Sequence, residues 1–227
     1  MKKLKVSLLT KVVIAIVAGI LFGQFLPDNF ARIFVTFNSL FGNFLSFAIP
    51  LIILGLVTPA IGELGRGAGK LLAITALIAY GSTILSGFLT YFSSAAVFPQ
   101  LLPVNTELTA MENPGDFMLQ PFFTVAMPPL MDVMTALLLS FTIGLGLSYI
   151  EGHTLRNSFS DFQQIITKLI EAVIIPLLPL HIFGIFLNMT VSGQVMSVVS
   201  MFMKVIVVIF ILHVLLLVVQ FHIAGGV

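Results

Sequence analysis

The chain has 227 residues, 59% of them hydrophobic and only 8% charged, with a formal net charge of +1. A soluble domain carries about 25% charged residues, and one of this size cannot hide so much apolar surface, so the composition places the chain in a lipid bilayer. With no basic patch a nucleic-acid partner is excluded, and with no cysteine so are disulfides and thiolate chemistry.

The apolar runs are continuous and do not alternate, which predicts an all-α integral membrane protein of about six transmembrane helices and not a β-barrel. The start, Met1-Lys2-Lys3-Leu4-Lys5, has the charge of a signal peptide, but no small-residue cleavage site follows, so it is read as the entry to a first span over residues 6–26. Pro27-Asp28-Asn29 is a turn. A second apolar segment, residues 31–61, is longer than a bilayer core, and Pro50 within it is the expected kink. A charged, glycine-rich turn follows over residues 62–70.

A third span is expected over residues 71–91 or a little beyond, inside an uncharged stretch that reaches Thr106. Residues 99–115 read as an acidic loop with Glu107 and Glu112. Residues 117–131 are apolar but broken by Pro121, Pro128 and Pro129. They are expected to form a short interfacial or re-entrant piece, which protein must cover, since lipid offers no partners for free backbone groups. A fourth span is expected over residues 131–150, then a polar turn over 151–161. The fifth, residues 162–189, is long and holds Pro176 and Pro179. Ser192-Gly193-Gln194 turns the chain into a sixth span over residues 195–223.

Orientation follows from the basic residues. With the N-terminus inside, Lys2, Lys3, Lys5, Lys11, Arg66, Lys70, Arg156 and Lys168 fall at inner ends or turns, and only Arg32 and Lys204 lie toward the outside. Both termini are therefore expected on the cytoplasmic side of the cell membrane. Spans one to three read short, long with proline, then uncharged, and spans four to six repeat that order. An inverted 3+3 repeat of this kind belongs to secondary transporters.

Few side chains could carry chemistry. Asp132 lies at the start of the fourth span, either as a functional acid or as a helix cap favoured by the dipole. His181 follows Pro179, either as a proton relay or bonded to a backbone carbonyl that the proline frees. Lys168 and Glu171 lie three apart and can pair on one helix face. Tyr80, Ser82 and Thr83 cluster in the third span. Their hydroxyls could coordinate a cation, because hard cations take oxygen ligands, or could bond helix to helix. Asn188-Met189-Thr190 matches a glycosylation sequon at a helix end. Neither a nucleotide-binding loop nor a hydrolase or metalloprotease motif is present.

The run Ile49-Pro50-Leu51-Ile52-Ile53-Leu54-Gly55-Leu56-Val57-Thr58-Pro59-Ala60-Ile61, followed by Leu64-Gly65-Arg66-Gly67-Ala68-Gly69-Lys70, resembles the second-to-third helix region of the dicarboxylate/amino acid:cation symporters. Phe141-Thr142-Ile143-Gly144-Leu145-Gly146, the stretch Pro179-Leu180-His181-Ile182-Phe183-Gly184-Ile185-Phe186 and the closing Ala224-Gly225-Gly226 are similar to helices four, five and six of that family. The resemblance implies a homotrimer with an elevator mechanism, not an enzyme, with no bound cofactor. It implies scaffold and trimer contacts from residues 1–61 and 117–192, and moving transport-domain helices three and six from residues 62–98 and 193–227. It implies cation-coupled uptake of a small anionic or amino-acid substrate, with sodium or protons as the coupling ion. Helix three of the family contributes a tyrosine and hydroxyls to a sodium site, which makes Tyr80, Ser82 and Thr83, with Thr75 near them, the candidate cation ligands. The family's substrate-binding hairpins and its Asn-Met-Asp-Gly-Thr motif have no counterpart in these 227 residues. The sequence is therefore expected to be the N-terminal half of a longer symporter, inactive alone. A six-helix permease subunit working with a partner, and an intramembrane enzyme using Asp132 and His181, are the alternatives.

Overall fold

The computed structural model describes residues 7–64, 68–101, 118–193 and 195–225. Among them there are seven α-helices and no strand: α1 (Leu8–Gly23), α2 (Asp28–Glu63), α3 (Ala68–Leu101), α4 (Val133–Tyr149), α5 (Thr154–Leu169), α6 (Ile175–Val191) and α7 (Val195–Gly225). A π-helical turn, Ile170–Ile174, joins α5 to α6, so the seven helices form six continuous segments, as the apolar runs require. Four segments are long and apolar enough to cross a membrane: Asp28–Glu63, Gly69–Pro99, Thr154–Val191 and Val205–His222. α1 and α4 are shorter apolar helices.

Helix ends follow local chemistry. The Ser7 hydroxyl accepts a hydrogen bond from the Thr10 N–H and caps α1. Pro27 opens α2 with its φ already near the helical value. α6 closes at Gly193, whose φ of 71° lies in the left-handed region and whose N–H reaches the Thr190 carbonyl. α2 runs unbroken through Pro50 and Pro59, over about 54 Å at 1.5 Å per residue. A π-helical turn falls in the other long segment: the Ile175 N–H bonds back to the Ile170 carbonyl, five residues away. The widened turn lies just before Pro176, whose ring would crowd the Ala172 carbonyl in a regular helix.

Two expectations are corrected. The polar stretch 151–161 is not a turn; α5 begins at Thr154. Leu155, Phe159, Phe162 and Ile166 recur at helical spacing there, and the polar residues between them are its outer face. The third segment outlasts residue 91 and remains helical through Pro99 to Leu101, so the start of the expected acidic loop is helix. The rest of that loop lies outside the described residues.

The chain divides into two compact units, Met1–Leu72 with Met118–Gly193, and Ala73–Phe117 with Gln194–Val227. In the first unit α2 is the axis. α4 lies along it in parallel, with Gly144 against Ile61 and the Thr58 carbonyl, and Gly62 against Leu147. The α5–α6 segment runs antiparallel to α2, pairing Gly55 with Ile166 and Asn38 with His181. α1 lies along α6 through Gly19 and Gly23. Small residues let these backbones approach closely, which is how helices gain packing energy where lipid is as apolar as leucine. The buried set is accordingly modest in size: Ala31, Ala48, Pro50, Thr58, Ser140, Leu147 and Leu187. In the second unit the described side chains of Gly69–Pro99 and Val205–His222 are all exposed or half-exposed.

Candidate functional site

The broken segment 118–132 carries the densest polar chemistry of the first unit. Pro121, Pro128 and Pro129 supply no N–H, and each pushes its preceding residue away from the helical region. The backbone is non-helical there, so its N–H and C=O groups need partners from elsewhere. Two helices provide them. Arg32 Nε donates to the Gln120 carbonyl at 3.0 Å, and its guanidinium lies 4.3 Å from the centre of the Phe122 ring. The Thr36 hydroxyl accepts from the Phe122 N–H at 2.9 Å and donates to the Arg32 carbonyl at 2.7 Å. Asn43 Nδ2 donates to the Val125 carbonyl at 2.7 Å. From α6, Asn188 Oδ1 accepts from the Leu119 N–H at 3.0 Å and Nδ2 donates to the Leu119 carbonyl at 3.3 Å. These four side chains form a polar clasp that holds the segment as a strap along the helix pair. The expectation that protein covers this backbone holds on its clasped edge.

Asn188 is buried and committed to Leu119, so the sequon is not a glycan acceptor in this fold. His181 bonds Asn38, not a carbonyl freed by proline: Nδ1 and Oδ1 lie 3.1 Å apart, which puts the proton on Nδ1. Gly184 leaves room for the Asn38 carboxamide, and the Phe41 ring lies 5.2 Å from the imidazole. Asp132 caps α4, accepting from the Thr135 hydroxyl at 2.6 Å and the Thr135 N–H at 2.9 Å. The hydroxyl, more than the N–H, holds its carboxyl below the ordinary range. Among the described residues Asp132 and His181 share no partner. Among the described residues no three of His, Asp and Glu gather as metal ligands. Glu171 falls in the π-helical turn and, like Lys168, is exposed.

The three candidate cation ligands lie in the second unit, and Ser82 faces away from the other two. Tyr80 is 74% exposed. The Thr83 hydroxyl donates to the Ala79 carbonyl of its own helix at 2.8 Å. The Ser82 hydroxyl accepts from Gln220 Nε2 of α7 at 2.9 Å. At about 100° per residue, Tyr80 and Ser82 point to nearly opposite sides of α3. Gln220 is a partner that sequence reasoning missed, as were Thr36, Asn38, Asn43 and Asn188. A double-mutant cycle on Ser82→Ala and Gln220→Leu, read by thermal unfolding in detergent, should give a coupling of about 0.5–1.5 kcal/mol. A coupling of zero would mean that the hydroxyl is free for another ligand.

Six apolar helical segments, four of them long enough to span, together with a clasped non-helical stretch, define a multi-pass α-helical membrane protein. Compared with known families, the chain matches the sodium:dicarboxylate symporter family over residues 8–227. The match takes in every described helix, and the chain belongs to that family. No solved structure matches it.

Proposed function

We propose that this chain serves cation-coupled symport of dicarboxylates or amino acids across the cytoplasmic membrane. The family match over residues 8–227 carries the reading. Within it, residues 1–61 and 117–192 act mainly as scaffold and trimer contacts, and residues 62–98 and 193–227 supply two helices of a moving domain. The parallel packing of α2 and α4, and the exposed Ile33, Ile49, Met134 and Leu138 on them, support a scaffold that buries further apolar surface in a homotrimer. Both termini face the cytoplasm, as the excess of inner basic residues favours, and the halves are related as an inverted 3+3 repeat. Sodium or protons drive uptake, and of the candidate cation ligands Tyr80 and Thr83, three apart on α3, share a face, while Ser82 is held by Gln220.

Cells lacking their own uptake of acidic substrates, given the gene at its natural length, should accumulate labelled succinate, aspartate or glutamate. That accumulation should collapse when ionophores dissipate the sodium and proton gradients. Accumulation of all three at the level of cells without the gene would refute symport. Liposomes holding residues 1–227 alone should stay silent, because Thr36, Asn43 and Asn188 of the clasp are spent on backbone groups of the strap. Uptake there would overturn the assignment of these residues to scaffold.

A further inference from the structure

Arg32 is the one cation that the clasp contains, and the clasp uses only part of it. Its Nε is bonded to the Gln120 carbonyl and its face lies on the Phe122 ring. Among the described residues neither terminal nitrogen of the guanidinium has a hydrogen-bond partner, and neither is a buried unsatisfied atom. The group is thus half-used: one edge and one face fixed by protein, the two remaining amino groups presented as an open fork. Locking the side chain in this way removes most of the rotamer entropy that an arginine otherwise loses on binding an anion.

The surroundings say what kind of anion. Arg32 lies on the second turn of α2, close to the Pro27 end, where the polar turn gives way to apolar helix. Phe122, whose ring lies under the guanidinium, is 51% exposed, so the ledge beside the fork is aromatic and faces outward. The register of Asn38 against His181 puts Arg32 level with Asn188. α1 runs parallel to α6, and Lys11, near its start, lies about 16 Å away along that axis. A doubly charged soluble substrate would want two cations. A single fork over the exposed Phe122 ring fits one phosphodiester with an acyl chain lying on that ring.

We propose that Arg32, braced by Gln120 and Phe122, is a binding site for the headgroup phosphate of a membrane phospholipid. The lipid then sits on the outer edge of the strap, and its phosphate joins the clasp through the same guanidinium. The proposal stands apart from the transport reading, since it rests on the contacts of Arg32 alone.

Native mass spectrometry of the detergent-purified chain reads it directly, using phosphatidylglycerol and a diacylglycerol with the same acyl chains as probes. Wild-type chain should retain phosphatidylglycerol and not diacylglycerol. Arg32→Gln should weaken that retention about tenfold, and Arg32→Lys should keep part of it. Circular dichroism checks that the variants retain their helices, and the two-lipid comparison on wild type needs no variant. Equal retention by wild type and Arg32→Gln, or of both lipids by wild type, overturns the proposal. So does displacement of phosphatidylglycerol by inorganic phosphate, since a soluble anion would then be the ligand.

Discussion

Gly19→Ala should cost about 1–3 kcal/mol of stability, although alanine is the better helix former. A β-carbon at position 19 would lie 2.7 Å from the Phe183 carbonyl oxygen, 3.0 Å from Phe186 Cβ and 3.2 Å from the Leu187 nitrogen. Two of those neighbours are backbone atoms of α6, which cannot rotate aside as a side-chain tip can. The helices must separate, and the contacts that α1 makes down to Gly23 and Thr190 weaken with them. Gly146→Ala on α4 is the control. Nothing lies within 4 Å of its added methyl. It should be neutral or stabilise by up to about 1 kcal/mol, by helix propensity alone. Thermal unfolding in detergent, followed by far-ultraviolet circular dichroism because the chain has no tryptophan, compares the two. If both substitutions shift the midpoint alike, the close approach of α1 to α6 is wrong. Gly184→Ala should fall between them: its clash is with the Asn38 carboxamide, which can move only by giving up His181.

What the sequence made legible depended on how far apart the partners lie. The six segments are written locally, because twenty apolar residues in a row have one physical reading. The break at 118–132 was equally plain from Pro121, Pro128 and Pro129. α5 escaped because its charge and hydroxyl content suggested a turn, while the weaker periodic signal of Leu155, Phe159, Phe162 and Ile166 was the informative one. The clasp had half a signal. Arg32, Thr36 and Asn43 stand at i, i+4 and i+11, one polar stripe on an otherwise apolar helix, and such a stripe asks for a buried partner. Asn188 had none, because its partner Leu119 is 69 residues away and it sat inside a sequon that offered a ready explanation. Tyr80, Ser82 and Thr83 cluster along the chain, but helix geometry spreads them around α3, and Ser82 found its partner 138 residues away. A membrane chain hides its functional contacts in this way: the apolar background fixes where helices run, and the few polar pairs that align them are long-range.

The strap offers the sharpest test of that view. Asn188→Leu keeps the volume and removes both bonds to Leu119, leaving a half-buried N–H and C=O without the partners that hold them. The loss should be about 2–4 kcal/mol, since each abandoned group carries its own desolvation cost. Thr36→Val is shaped alike and removes the acceptor of the Phe122 N–H. Hydrogen exchange in detergent or nanodiscs locates the damage: amides 119 and 122 should lose protection, while those in the middle of α2 and α6 keep theirs. Uniform loss across the helices would mean global loosening, and unchanged protection at both amides would mean that the clasp does not hold the strap. The double variant separates a clasp from a set of independent bonds. The strap touches α6 at Leu119 and α2 at Gln120, Phe122 and Val125. Once one end is released, the entropy of the freed backbone already weakens the bonds at the other end. The combined cost should therefore fall below the sum of the single costs. Strict additivity would mean that Asn188 and Thr36 act on separate pieces of backbone, each stable without the other.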